Sequence, residues 1–307
     1  MSFEGLLYLI EENVMGNKFS LIDLENITEP VAGVINNFID KISSALGWMV
    51  TPKDIKPAII EANKSIIDEI THREDINPIE RAAIVNNFKR IVKQYKNQVD
   101  IMRIAVEHLK PNFVPEEVSN DWITFFFDKV KDVTEDYMKE TWGKILAGEF
   151  NEPNTYTKQL LHVMSIMDSE IATSFQKIRK CCFSVSSKSY VFIYNRSYAD
   201  NIDNGRRYGQ LNINYNDIKE LENMGIVQYR HSNFFTIRSD YAEVSYGNKK
   251  IELKTDNNKI VTGNVSLTKI GEQLCNIITP ECDEKILDIC LDIWRFFNYN
   301  PIVKNNN

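Results

Sequence analysis

The residues of this chain that come closest to a catalytic pattern are Asp240, Glu252 and Lys254. A strand-borne acid followed by an acid-x-Lys triplet on the neighbouring strand can hold a divalent ion and activate a water for phosphodiester cleavage. The text from Asp240 to Lys254 reads as strand, and Glu252 and Lys254, two apart, would share a strand face. The pattern is weak by its own count: the same triplet occurs at Asp54, Asp217 and Asp283, and the shared face equally describes a solvated strand. A metal-dependent nuclease therefore ranks last. No P-loop, GxGxxG, HExxH or GxSxG occurs. His72, His108, His162 and His231 lie far apart, and Cys181, Cys182, Cys275, Cys282 and Cys290 contain no CxxC pair, so neither a metal nor a cofactor is suggested. An odd cysteine count without a secretory signal reads as reduced thiols in a cytoplasmic protein.

A second candidate acid stands in WGKILAGEF, residues 142–150. Trp142, Ile145 and Leu146 fall on one helical face, and Gly148 is expected to end the helix as a left-handed C-cap. Glu149 would then sit just past the helix end, where the dipole disfavours an acid, held by Lys158 or Lys144. No second acid or histidine can be placed beside it, so the stretch reads as a packed helical hairpin with Trp122, Phe125 and Phe126 as partners.

These groups must be positioned by two kinds of element. The chain has 307 residues, a formal net charge of −7, 43% hydrophobic and 26% charged residues, enough for a sizeable core in two or three modules. Apolar residues at helical spacing run from about 29 to 180. Pro30 opens one helix and Gly47 closes it. Glu80–Leu109 reads as one long helix, and Ser119, Thr134 and Asp168 are expected N-caps. After Cys182 the text turns to short strands between Gly and Asn turns, with a helix ending at Gly225, another capped by Thr268 and a last amphipathic one over 283–297. The expected fold is α+β, mostly α. It comprises an N-terminal segment 1–28, a helical bundle over 29–182, a smaller winged-helix-like α+β domain over 183–300, and a fraying tail over 301–307.

Three faces are candidates for partners. Residues 30–50 form an amphipathic stretch broken by Asp40 and Lys41, a contact surface through Phe38, Ile42 and Trp48 or, alternatively, an interfacial membrane helix. Ile293 and Phe297 on the last helix are a second contact surface. Lys89, Arg90, Lys93 and Lys96 lie on the polar side of the long helix, with 89, 93 and 96 on one face; with Arg206 and Arg207 they are the candidates for contacting phosphates. The winged-helix reading helix, by contrast, carries Asp217, Glu220 and Glu222 against Lys219, a face that phosphates would repel.

The segments ENITEPVAGVINNFIDKISSALGWMVTPKDIK and NDWITFFFDKVKDVTEDYMKETWGKILAGEFNEPNTYTKQLLHVMSIM, with LENMGI and LTKIGEQL further on, resemble a bacterial family of unknown function. Trp122, Trp142, Leu146, Gly148, Glu149 and Pro153 fit its most recognisable block; Lys158 and Gln159 depart from it, standing where that block has Arg and Thr. A similar tryptophan block occurs in proteins grouped as abortive-infection alpha type, associated with bacterial antiviral defence. The resemblance implies a setting in phage defence and leaves the mechanism open; with no catalytic constellation in the text, the expected function is that of a defence protein acting through protein partners or self-assembly as an oligomer, without its own catalysis. It assigns no catalytic residue.

Overall fold

The computed structural model describes residues 29–47, 65–194, 213–279 and 281–305. The chain divides into two compact units, residues 1–161 and 162–307. Trp48, Arg206 and Arg207 lie outside the described residues.

The first unit is helical. It contains α1 (Glu29–Leu46), α2 (Pro78–Glu107), a 3-10 turn at Pro115–Glu117, α3 (Asn120–Val130), α4 (Asp136–Asn151) and the start of α5 (Lys158–Ile166); a further helical piece covers 65–71. Gly47 has φ +72 and closes α1, its N–H donating to Ser43 O at 3.0 Å. Asn77 caps α2, accepting from the Ile79 N–H, with Pro78 in the first turn. One face of α2 carries Asn97, Val99, Ile101, Met102 and Ala105 into the core. α2 and α4 approach closely at Gly143, where a Cβ would come within 2.5 Å of Ile104. Aromatic edges fill the centre: Phe38 meets Phe150 at 4.7 Å, Trp122 stacks on Phe126 at 5.2 Å, and Phe126 meets Trp142 at 5.5 Å.

The second unit is α+β. α6 (Ser169–Lys180) is capped by Asp168, which accepts from the Ile171 N–H at 2.9 Å. Then come β1 (Cys182–Val185), β2 (Lys188–Val191), α7 (Tyr215–Asn223), β3 (Val227–Tyr229), β4 (Phe235–Ile237), β5 (Tyr241–Tyr246), β6 (Lys249–Lys254), β7 (Ile260–Gly263), β8 (Val265–Leu267), α8 (Lys269–Ile277), α9 (Glu284–Phe296) and β9 (Ile302–Asn305). The main sheet is antiparallel with order β2-β1-β5-β6-β9; β3 pairs with β8 and β4 with β7. The helix–strand–strand–helix order α7-β3-β8-α8 follows the expected text, with Gly225 at φ +72 after α7 and Thr268 capping α8. The strands between them do not form a simple wing: β5 and β6 join a sheet begun by β1 and β2.

The architecture is α+β and mostly α, as the periodicity implies. Three local expectations are corrected. First, α4 does not stop at Gly148 but runs on to Asn151, with Glu152 at its C-cap. Second, Ser119 and Thr134 supply no side-chain cap. Third, residues 302–305 do not fray: β9 pairs in register with β6, Glu252 opposite Ile302 and Ile251 opposite Val303, so a partner strand organises a stretch that looks unstructured in isolation. α6, grouped from sequence with the helical region, lies in the second unit, where Ser174 Oγ and Lys177 Nζ both donate to Asp217 Oδ1 of α7, at 2.9 and 2.8 Å.

Candidate functional site

Glu149 stands on the last turn of α4 and is 3% exposed. Its carboxylate is not held by a lysine among the described residues. Lys158 pairs with Asp121, and Lys144 pairs with Glu140 at 3.0 Å. Glu149 instead accepts from the backbone N–H groups of Asn154 and Tyr156, each at 2.8 Å, and the Thr155 N–H adds to the pull. Successive N–H groups turned inward make a nest for an anion, and Asn154, at φ 68, gives the loop the turn this requires. Burial pushes the Glu149 carboxyl up from its ordinary value against the opposing effect of these N–H donors. The same loop is gripped from α3, where Trp122 Nε1 donates to Tyr156 O at 2.7 Å. Gly148 is glycine because the Tyr156 ring lies on it: a Cβ there would meet Tyr156 Cε2 at 2.6 Å. Trp122, Gly148 and Glu149 therefore form one knot that ties the 152–156 loop to α3 and α4, and Trp142 and Leu146 pack in the core beside it.

Of the apolar contact candidates, Phe38, Ile42 and Ile293 are core side chains. Phe38 and Ile42 are both 0% exposed and Ile293 2%; Phe297 is half-buried against Tyr299, Tyr194 and Phe234. In the described part of α1, Ile35, Phe38, Ile39 and Ile42 all turn inward, so Phe38 and Ile42 present no free apolar face in this structure. No helix among the described residues is long and apolar enough to cross a membrane.

The nuclease candidates do not assemble as expected. Glu252 faces Glu243 across the β5–β6 ladder and its carboxylate takes the Lys304 ammonium of β9, which holds the carboxyl below its usual range. Asp240 and Lys254 line a cleft of about 340 Å³ with Tyr241, Thr255, Asp256, Asn298 and Asn300; Glu252 does not reach it. No three His, Cys, Asp or Glu side chains among the described residues are grouped to hold a metal ion.

The basic candidates of α2 are presented as expected. Lys89, Arg90, Lys93 and Lys96 are all exposed, whereas Asn97, Ile101 and Met102 of the same helix are buried. Arg90 leans on Asn87 Oδ1 at 2.7 Å, while the three lysines make no ion pair among the described residues. Asp100 does not neutralise them: it is turned to the 8%-exposed Lys139 of α4, at 2.8 Å, with Arg103 at 3.6 Å.

The family model described as a protein of unknown function, DUF2806, matches residues 80–289. The chain belongs to this family. No curated protein and no solved structure matches it. The matched span in this DUF2806 member contains the basic row of α2, the Trp122–Glu149–Tyr156 knot and the β5–β6 side of the cleft. Sequence reasoning missed the 152–156 nest, the Lys139–Asp100 pair and the cleft residues Asp256, Asn298 and Asn300. The only local signal was Asn-Tyr-Asn-Pro at 298–301, a turn text.

Proposed function

We propose that this DUF2806 protein works by binding rather than by catalysis, and that its ligand is a nucleic-acid backbone held along the outer face of α2. The supporting observation is the row Lys89, Lys93 and Lys96, exposed and free of ion pairs among the described residues. At a rise of about 1.5 Å per residue the row spans about 10 Å of helix, the reach of about three successive phosphates on one strand. The helix is rigid beneath it, since Asn97 Nδ2 donates to Lys131 O and Gln98 Nε2 to Phe127 O, both in the first unit. With an overall charge of −7, binding is confined to this face and is strongly dependent on salt. A sensor in antiviral defence, the setting implied by the resemblance to abortive-infection proteins, fits such a reading and rests on that resemblance alone.

The test is fluorescence anisotropy with labelled duplex DNA and single-stranded RNA across a salt series. Replacing Lys89, Lys93 and Lys96 with Gln is expected to weaken binding at least about tenfold and to reduce the duplex log–log salt slope by about 2–3. Lys144→Gln, whose ammonium already pairs with Glu140, is expected to leave both unchanged. No binding to either probe at low salt, or binding indifferent to the triple change, refutes the proposal.

A further inference from the structure

The cleft at the end of the β5–β6 hairpin has a built frame. Its walls come from three segments: Asp240 and Tyr241, Lys254 to Asp256, and Asn298 to Asn300. Backbone hydrogen bonds lock them together. The Thr255 N–H donates to Asp240 O at 2.8 Å, and the Lys254 N–H to Tyr299 O at 2.9 Å. Tyr299 is buried beneath the third segment, with its N–H donating to Trp294 O and its hydroxyl accepting from the Val261 N–H at 3.1 Å. Anchored there, its neighbours Asn298 and Asn300 both take left-handed backbone, φ 58 and 45, which asparagine tolerates better than other residues with a Cβ and which at Asn298 ends α9.

The side chains around this frame differ from those just outside it. On the same hairpin Lys249 pairs with Glu284, Lys250 with Glu243 at 3.1 Å, and Glu252 with Lys304. Lys254, Asp240 and Asp256 line one cleft, yet none of them makes an ion pair among the described residues, and the carboxamides of Asn298 and Asn300 make no hydrogen bond there either. Opposite charges that border a space without closing across it leave both signs available to a bound group. The volume, about 340 Å³, is at the small end for ligand sites, and the lining is polar where drug-like sites are apolar.

The geometry points to a binding site for a small zwitterion of the amino-acid class. Its carboxylate meets the Lys254 ammonium, its ammonium meets the Asp240 and Asp256 carboxylates, and the Asn298 and Asn300 carboxamides serve its remaining polar groups. Charge-assisted hydrogen bonds of both signs then match the zwitterion, whereas a neutral polyol answers neither charge and a bare cation answers only the two carboxylates. The site is separate from the basic row of α2 and does not depend on nucleic-acid binding.

The experiment is isothermal titration calorimetry of the full chain with a series of L-amino acids, D-glucose and magnesium chloride as separate probes. At least one amino acid is expected to bind with one-to-one stoichiometry. Asp240→Asn and Lys254→Gln, both at exposed positions where folding is not at stake, are each expected to weaken it at least about tenfold. Glu243→Gln, outside the cleft on the same hairpin, is expected to leave it unchanged. Binding of glucose or magnesium in place of every amino acid, binding of none of the probes, or amino-acid binding insensitive to both cleft variants overturns the assignment.

Discussion

Replacing Glu149 with Gln tests whether the acid of the tryptophan block is structural. The carboxylate accepts from the Asn154 and Tyr156 N–H groups through its two different oxygens. A glutamine has one carbonyl oxygen and must turn its NH2 towards the other N–H, so one buried donor meets a donor. An orphaned buried N–H costs about 1–3 kcal/mol, and in a domain of this size each kcal/mol lowers Tm by about 2–4 °C. The expected loss is therefore about 1–3 kcal/mol and about 2–12 °C, read by urea titration followed by tryptophan fluorescence and by calorimetry. Glu149→Ala, which orphans both N–H groups and leaves a void, is expected to lose more. The pH dependence adds an independent sign. Burial raises the folded-state carboxyl above its ordinary value, so between the unfolded and folded values the folded chain binds more protons. The Glu149 contribution to stability then falls as pH rises from the ordinary carboxyl value towards the raised one, and the penalty is relieved below that window. The Gln variant should lack this slope. Nucleic-acid binding by the folded variant should match the parent. A Gln variant within about 0.5 kcal/mol of the parent, the spread of ordinary surface changes, refutes the nest as a structural clamp.

Two further changes probe the frame on which the sites stand. Lys139→Ala is expected to destabilise the first unit by about 1–3 kcal/mol in urea titrations, because it strands Asp100, whose side chain is only 20% exposed, without its main counter-ion; adding Asp100→Asn should recover part of the loss. Gly263→Ala is expected to cost more than about 3 kcal/mol or to prevent the second unit from folding, since the backbone there has φ +120 and a Cβ would fall 2.0 Å from Ile193 O. Amide exchange at Asn264, whose N–H donates to Ile193 O at 2.7 Å, reports that damage locally.

What could be read in advance was what local chemistry decides. Gly47 and Gly225 end helices through left-handed backbone, and Asp168 and Thr268 start them through side-chain caps; each of these effects lives within a few residues. The basic row of α2 followed from helical spacing alone. Gly148 was misread because its reason is tertiary: the helix passes through it, and a ring eight positions later excludes a side chain. Phe38 and Ile42 were read correctly as an apolar stripe, but a stripe does not say whether its cover is the same chain or another. The cleft was invisible because its walls are brought together from residues 240–241, 254–256 and 298–300, and no periodicity links them.

β9 has a consequence in time. Glu252 and its partner Lys304 are separated by 52 positions, and the ribosome adds about 5–20 residues per second. For roughly 3–10 seconds of synthesis β6 therefore exists without the strand that covers its outer edge. During that interval Glu252 lacks its cation, and Ile251 and Leu253 sit in a sheet whose border still offers unpaired N–H and C=O groups. Any chaperone contact or misassociation specific to this protein should concentrate in that interval and cease once β9 docks. Ribosome-bound nascent chains stalled just before and just after residues 302–305 have emerged would then differ in aggregation far more than their lengths do.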